Sequence, residues 1–414
     1  MAVLAACPLL AAFVYNLPPV RERLGWRVSN LRAEIWYALN RPEEALFTPN
    51  ATVAAIVQST LQAIAPTLTP TASPDPTGTL APTSTPTPEP TPLPEAVQLN
   101  GVRHEFQYWN NCAPATLSMA LSYWGWEGDQ RDTARVLKPN PRDKNVMPYE
   151  MEAFVEEHTS LLAVVRAGGD LDLLRRFIAA GFPVIIEKGF DVPGKEWMGH
   201  YELLTGYDDQ AQRFTAQDSY IGPDYQPTYD QIHTYWRHFN YTYLIIYPPD
   251  REAEVMALLG PQVDETANYQ YAAQLASDEI YALSGRDQFF TWFNRGTNLV
   301  RLQDYAGAAA AYDNAYLLQP EIPSGQRPWR ILWYQTGPYF AYYYTGRYSD
   351  VINLASLTLD IPEPVLEESY YWRGLAREAL GDVSGAIDDL RTCLQVHVGF
   401  APCEAALERM GVVP

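Results

Sequence analysis

The chain has 414 residues, enough for two or three domains, and 47% of them are hydrophobic, which suffices for real cores. Its 49 acidic residues outweigh 29 basic ones, and the resulting formal charge of -20 repels polyanions, which excludes nucleic acid as an expected partner. The 34 prolines exceed the needs of a compact globule and are clustered, which points to a linker.

Residues 2–19 carry no charge and are mostly apolar, about the shortest run able to cross a bilayer as a helix. Arg21, Arg23, Arg27 and Arg32 follow the run rather than precede it, unlike the order in a signal peptide. Taken alone, the positive-inside rule puts the following chain in the cytoplasm, whereas the downstream linker is of an extracytoplasmic kind. We expect residues 1–20 to be a hydrophobic anchor or signal segment that tethers the chain to a membrane. A buried helix is the alternative, and Leu4-Ala5-Ala6-Cys7 also resembles a lipobox.

Residues 21–64 read as a helical juxtamembrane region in two pieces, LGWRVSNLRAEIWYALN and TVAAIVQSTLQAIA. Residues 65–96 form a Thr/Pro-rich linker. Proline fixes φ and removes amide donors there, so the tract should be a disordered, extended spacer holding a domain away from a membrane or joining two domains.

Residues 97–250 are mixed α/β. The extended stretch VRHEFQY precedes helices in ATLSMALSYW, YEMEAFVEEH and DLDLLRRFIAA, the last stopping at Gly181. Strands are expected in PVIIEKGF, HYELLTGYD, RFTAQDS and YTYLIIYP, the middle two joined by the turn 209–212. Helices first and strands later predict an α+β fold with an antiparallel sheet.

Strand signals stop over 251–414. Trp292, Gly296, Tyr305, Ala308, Tyr312, Ala315 and Pro320 fall on tetratricopeptide spacings. Gly346 and Tyr348, then Gly374, Gly381 and Ala386, repeat parts of the pattern. This segment resembles about three tetratricopeptide-like repeats, an all-α scaffold for a protein partner, with a generic bundle as the alternative. Cys393 and Cys403, ten residues apart, read as either a disulfide or two small core residues.

The chemistry centres on FQYWNNCAPATLSMALSYWG. Asn111 suits an N-cap, Pro114 the first turn and Gly125 the stop, so Cys112 stands at a helix N-terminus, where a thiolate is favoured. A small buried cysteine at a helix start is the bland reading. Of six histidines, His104, His158, His233, His238 and His397 read as structural or solvated. His200 instead opens a strand, and a hairpin centred near Asp209 sets it directly opposite Asp218, about 5 Å away between Cβ atoms. A carboxylate there can hold the imidazole tautomer and stabilise the imidazolium. Gln107, five residues before Cys112, offers uncharged donors which, with the Cys112 backbone N–H, could form an oxyanion hole.

Gln107-x4-Cys112-Ala-Pro-Ala, Gly199-His200-x5-Gly206-Tyr207-Asp208 and Asp218 together resemble the C39-like (bacteriocin-processing type) cysteine peptidases of the papain-like fold. The resemblance covers roughly residues 100–248 and implies Gln107 as oxyanion residue, Cys112 as nucleophile, His200 as general base and acid, and Asp218 as orienting residue. It implies a peptide or protein substrate and no cofactor or metal. Ala113 replaces the usual glycine and Ser219 the usual proline, and the methyl of Ala113 raises the question of substrate access. No phosphate-binding Gly-x4-Gly-Lys motif occurs, so a stand-alone enzyme is expected. The expectation is a membrane-anchored, extracytoplasmic cysteine peptidase. A non-catalytic peptide-binding scaffold, and an amidase or acyl transferase using the same residues, remain as alternatives.

Overall fold

The computed structural model describes residues 14–15, 17–40, 46–49, 92–191 and 196–414. The expected anchor and linker lie largely outside these residues, as does the second helical piece, TVAAIVQSTLQAIA. Among the described residues, no helix is long and apolar enough to cross a membrane. The first helical piece is present as α1 (Pro18–Leu39), opened by prolines whose fixed φ suits a helix start.

After β1 (Ala96–Gln98) come α2 (Cys112–Tyr123), α3 (Gln130–Leu137) and α4 (Pro148–His158), then β2 (Leu162–Arg166) and α5 (Leu171–Ala179). The rest of the sheet region is β3 (Val184–Phe190), β4 (Met198–Asp208), β5 (Arg213–Asp218), β6 (Gly222–Tyr225), α6 (Tyr229–Arg237) and β7 (Tyr243–Tyr247). The strands run in the order β2-β7-β3-β4-β5-β6, and β1 also pairs with β4. Every pairing is antiparallel.

β3 and β7 are buried at every position because helices cover both faces of the sheet, which is why their sequences are near-continuous apolar runs. Leu117 and Leu121 of α2 pack on Ile185, Leu203 and Leu244 on one face. Phe177 of α5 and Trp236 of α6 pack on Val184, Ile186 and Ile245 on the other. This packing presses the helix that begins with Cys112 against the strand that carries His200.

The β4–β5 register differs from the simple hairpin expected from the sequence. Next to the turn, Asp208 faces Arg213, Tyr207 faces Phe214 and Gly206 faces Thr215. Carried onward, that offset would bring Leu203 opposite Asp218 and turn the carboxylate away from the His200 face. A bulge at Thr205 absorbs one residue, so that Leu204 faces Ala216 and Leu203 faces Gln217. Asp218 then follows opposite Glu202, a diagonal neighbour of His200 on the same face rather than its direct partner.

Past α7 (Glu252–Leu259) and α8 (Glu265–Ile280) the chain is helical, with α9 (Gly285–Arg301), α10 (Tyr305–Leu318), α11 (Gly337–Tyr344), α12 (Tyr348–Leu359), α13 (Glu367–Ala379), α14 (Val383–Val396) and α15 (Ala401–Arg409). In the pairs α9/α10, α11/α12 and α13/α14 the same corner position is left-handed: Gln303 at φ 62°, Gly346 at φ 75° and Gly381 at φ 87°. Gly296 lets α10 approach closely, since a Cβ there would lie 2.7 Å from the Tyr312 ring. Cys393 and Cys403 are joined in a disulfide that ties α14 to α15.

The helical region packs directly on the sheet region. Trp197 stacks on Phe239 and also meets Phe290 and Tyr334. Gln335 Nε2 donates to the His238 carbonyl at 2.8 Å. His238, read from the sequence as structural or solvated, is fully buried in this seam, where it accepts from Trp197 Nε1 and burial pushes its imidazole down to about 4. Its sequence neighbourhood gave no sign of the helices that cover it.

Candidate active site

Cys112 is the first residue of α2. Asn111 stands at the N-cap position but does not cap: its Nδ2 donates to Gln130 Oε1 at 2.9 Å. No capping side chain therefore competes for the first-turn N–H groups, and the positive end of the helix acts on the thiol. Gly125, at φ 86°, follows the helix end as expected. The Ala113 methyl packs in the core with Leu117 and does not line the cleft, which removes the concern about access.

His200 and Asp218 are buried, at 3% and 0% exposure. His200 Nε2 lies 3.1 Å from Asp218 Oδ2, which leaves Nδ1 as the ring nitrogen for the Cys112 thiol. The other carboxylate oxygen of Asp218 accepts from the backbone N–H groups of Tyr220 and Ile221, both at 2.7 Å. Phe190 stacks on the imidazole with 4.6 Å between ring centres. Gly199 is required beside it, because a Cβ there would stand 2.7 Å from the Phe239 ring and 2.9 Å from that of Tyr334.

Charge follows from these contacts. Burial pushes the Cys112 thiol up, but the His200 hydrogen bond and charge, the Tyr201 backbone N–H and Lys138 together hold it below its ordinary value. Burial pushes His200 down, yet Asp218 and Cys112 outweigh it and raise the imidazole to about 9. Asp218 is driven up by burial and held well below the usual carboxylate range by His200 and Lys188. Both shifts run toward a thiolate beside an imidazolium.

Gln107 is anchored from both ends. Its backbone N–H donates to the Ser219 carbonyl at 2.8 Å, and Ser219 Oγ donates to its Oε1 at 2.8 Å. With Oε1 occupied, Nε2 is left as a donor without a partner among the described residues, on an amide that lines the same cavity as Cys112 and His200. All four residues singled out from the sequence are thus brought to one place.

The cavity, of about 590 Å³, has walls that the sequence reading missed. One is α1, which contributes Glu34 and Tyr37. It is held there by Trp26 stacked on Phe106 at 4.2 Å and by the Trp109 backbone N–H donating to Ser29 Oγ at 3.0 Å. Another is Arg330, Trp333 and Tyr334 from the helical region, with Arg330 paired to Glu196 at 3.2 Å. Between them the Lys144 ammonium lies over the Trp36 and Trp333 rings, and burial pushes it down to about 8. The available signal was the segment PEIPSGQRPWRILWYQTG, too long and too aromatic for a plain connection between two helices.

Residues 96–246 match the Peptidase_C39 like family, well under half of the chain. Among solved structures, a candidate C39-like peptidase from Bacillus anthracis is 17% identical, with a TM-score of 0.32 over 37% of this chain and 98% of the other. A double glycine motif protease from an AMS/PCAT transporter, in complex with its leader peptide, is 18% identical, with a TM-score of 0.28 over 37% of this chain and 94% of the other. Xylellain, a cysteine protease from Xylella fastidiosa, is 15% identical, with a TM-score of 0.25 over 50% of this chain and 95% of the other. No curated protein matches.

Proposed function

With residues 96–246 forming a C39-like cysteine peptidase domain, we propose that the protein is a membrane-tethered, extracytoplasmic peptidase working through Cys112, His200, Asp218 and Gln107. The observation that carries this is the hydrogen-bonded series Cys112–His200–Asp218 opening on a cavity that Gln107 also lines.

In the resting pair the thiol proton is on His200. The Cys112 thiolate attacks the scissile carbonyl carbon, and the oxyanion is met by Gln107 Nε2 and the Cys112 backbone N–H. As the C–N bond breaks, His200 gives its proton to the leaving amine, leaving a thioester on Cys112. A water then gives a proton to His200 while its oxygen attacks the thioester carbonyl. The acid product departs and the thiolate–imidazolium pair returns. Asp218 keeps Nε2 engaged throughout and stabilises the imidazolium.

Tethering is supported by the apolar run 2–19 and the Thr/Pro tract, and an oxidising compartment by the Cys393–Cys403 disulfide. Repeat-like binding of a protein partner is supported by the three helix pairs with their shared left-handed corner.

The test is two-part. Wild-type protein and the Cys112→Ala and His200→Ala variants are alkylated with iodoacetamide near neutral pH, and the same proteins are incubated with a peptide library. The proposal expects rapid His200-dependent labelling of Cys112 and Cys112-dependent cleavage products. Labelling at the rate of a free thiol would sink the enzyme reading in favour of a binding module. Fast labelling with acyl transfer to added amines, but no hydrolysis, would indicate a transferase.

A further inference from the structure

We infer that Asp143, Glu367 and His397 bind one divalent transition-metal ion of the Zn2+ type, clamping the C39-like domain to the helical region. The proposal is independent of the peptidase reading. One ligand atom from each residue lies within 4.8 Å of the other two. Two carboxylate oxygens and one imidazole nitrogen form a donor set that suits zinc and its first-row neighbours better than calcium or magnesium.

The three residues come from separate places. Asp143 lies in the loop between α3 and α4, and Glu367 is the first residue of α13. His397 directly follows α14, inside the short loop that the Cys393–Cys403 disulfide closes. A sequence reading that treated His397 as structural had no means of seeing Asp143 beside it.

Two further observations mark the site as one that a cation would suit. Asp143 and Glu367 are each only 4% exposed, and no Lys or Arg forms an ion pair with either among the described residues. Glu367 Oε1 is bonded to His397 Nδ1 at 2.9 Å, yet its Oε2 is buried with no hydrogen-bond partner among the described residues. Lys138 acts on Asp143 only from a distance, its ammonium being bonded to the Asn110 carbonyl. Buried carboxylates in such surroundings are costly unless they are protonated or coordinate a cation.

The clamp has a consequence for the cleft. The Asp143 loop also carries Lys144, which lines the cavity, so an ion at this junction would fix that part of the wall against the helices.

The experiment uses the full chain carrying Cys112→Ala, so that the active-site thiol cannot bind the probe. Chelator-treated protein is titrated with Zn2+ in competition with a chromophoric chelator, and thermal unfolding is followed in parallel. One equivalent should bind and raise the melting temperature. Losing an outer-shell partner costs about 10–100-fold in metal affinity, so Asp143→Asn, Glu367→Gln and His397→Gln should each weaken binding by at least about 100-fold. Co2+ substitution provides a readout that needs no variant at the site: visible bands of a nitrogen/oxygen-ligated ion are expected in the parent chain. Absence of Zn2+ binding and of Co2+ bands, or equal Zn2+ affinity in the parent and in folded His397→Gln protein, overturns the proposal.

Discussion

Cys112 and His200 titrate as a pair, since each is among the groups that set the other's charge. On the proposed mechanism, activity requires the thiolate and the imidazolium together. Going down in pH, it is lost when Cys112 takes up a proton, below the usual thiol range; going up, it is lost as His200 gives up its proton at about 9. A bell-shaped profile of kcat/KM is therefore expected. Asp218→Asn removes the largest influence raising His200, so the alkaline limb should move to lower pH and the rate should fall by about 10²–10⁴-fold. The same shift has a stability side: below the ordinary imidazole value of 6.5 the His200 contribution is fully present, and it is lost as pH rises through about 9. Gln107→Ala should lower kcat by about 10²–10³-fold, the cost of one oxyanion donor. Ser219→Ala should lower kcat less, because it frees the Gln107 amide to rotate, and should have no added effect on top of Gln107→Ala. The legibility of the four residues came from their motif contexts. Ser219 looked like a mere departure from a motif, since its hydroxyl acquires meaning only once folding puts it beside Gln107.

Among the elements, the β4–β5 hairpin decides whether the histidine and aspartate can meet. Alternation and the turn 209–212 made both strands and their pairing readable from the sequence. The bulge at Thr205 was not readable, because one extra residue leaves no compositional trace, yet it sets which face Asp218 occupies. The short elements β1 and β6 escaped for a related reason: three or four residues are too few to show a period. β4 also carries Gly199, where the rings of Phe239 and Tyr334 leave no room for a side chain. Gly199→Ala should cost about 1–3 kcal/mol through overpacking and also displace His200, seen as a lower melting temperature and slower alkylation of Cys112. If the variant alkylated at the wild-type rate, the glycine would matter for packing alone.

Over the whole molecule, the cleft is shared by α1, the sheet region and the helices after 250. The sequence suggested a domain string, with a tether, a spacer, an enzyme and a scaffold in series, because linear composition reports boundaries and not returns of the chain. The folded protein instead brings Tyr37 and Trp333 to the same cavity as Cys112. A chain beginning at residue 92 should keep the Cys112–His200 pair and lose one wall. It should be alkylated faster by a bulky thiol reagent, with a smaller change for a small one, measured on both chains under the same conditions. Trp333→Ala should raise KM for peptides while leaving small-reagent alkylation of Cys112 near the parent rate. The separation in sequence between nucleophile and wall also orders events in time. Synthesis delivers the thiol some two hundred residues before Trp333, so a nascent chain carries its reactive group before the residues that complete the cavity wall.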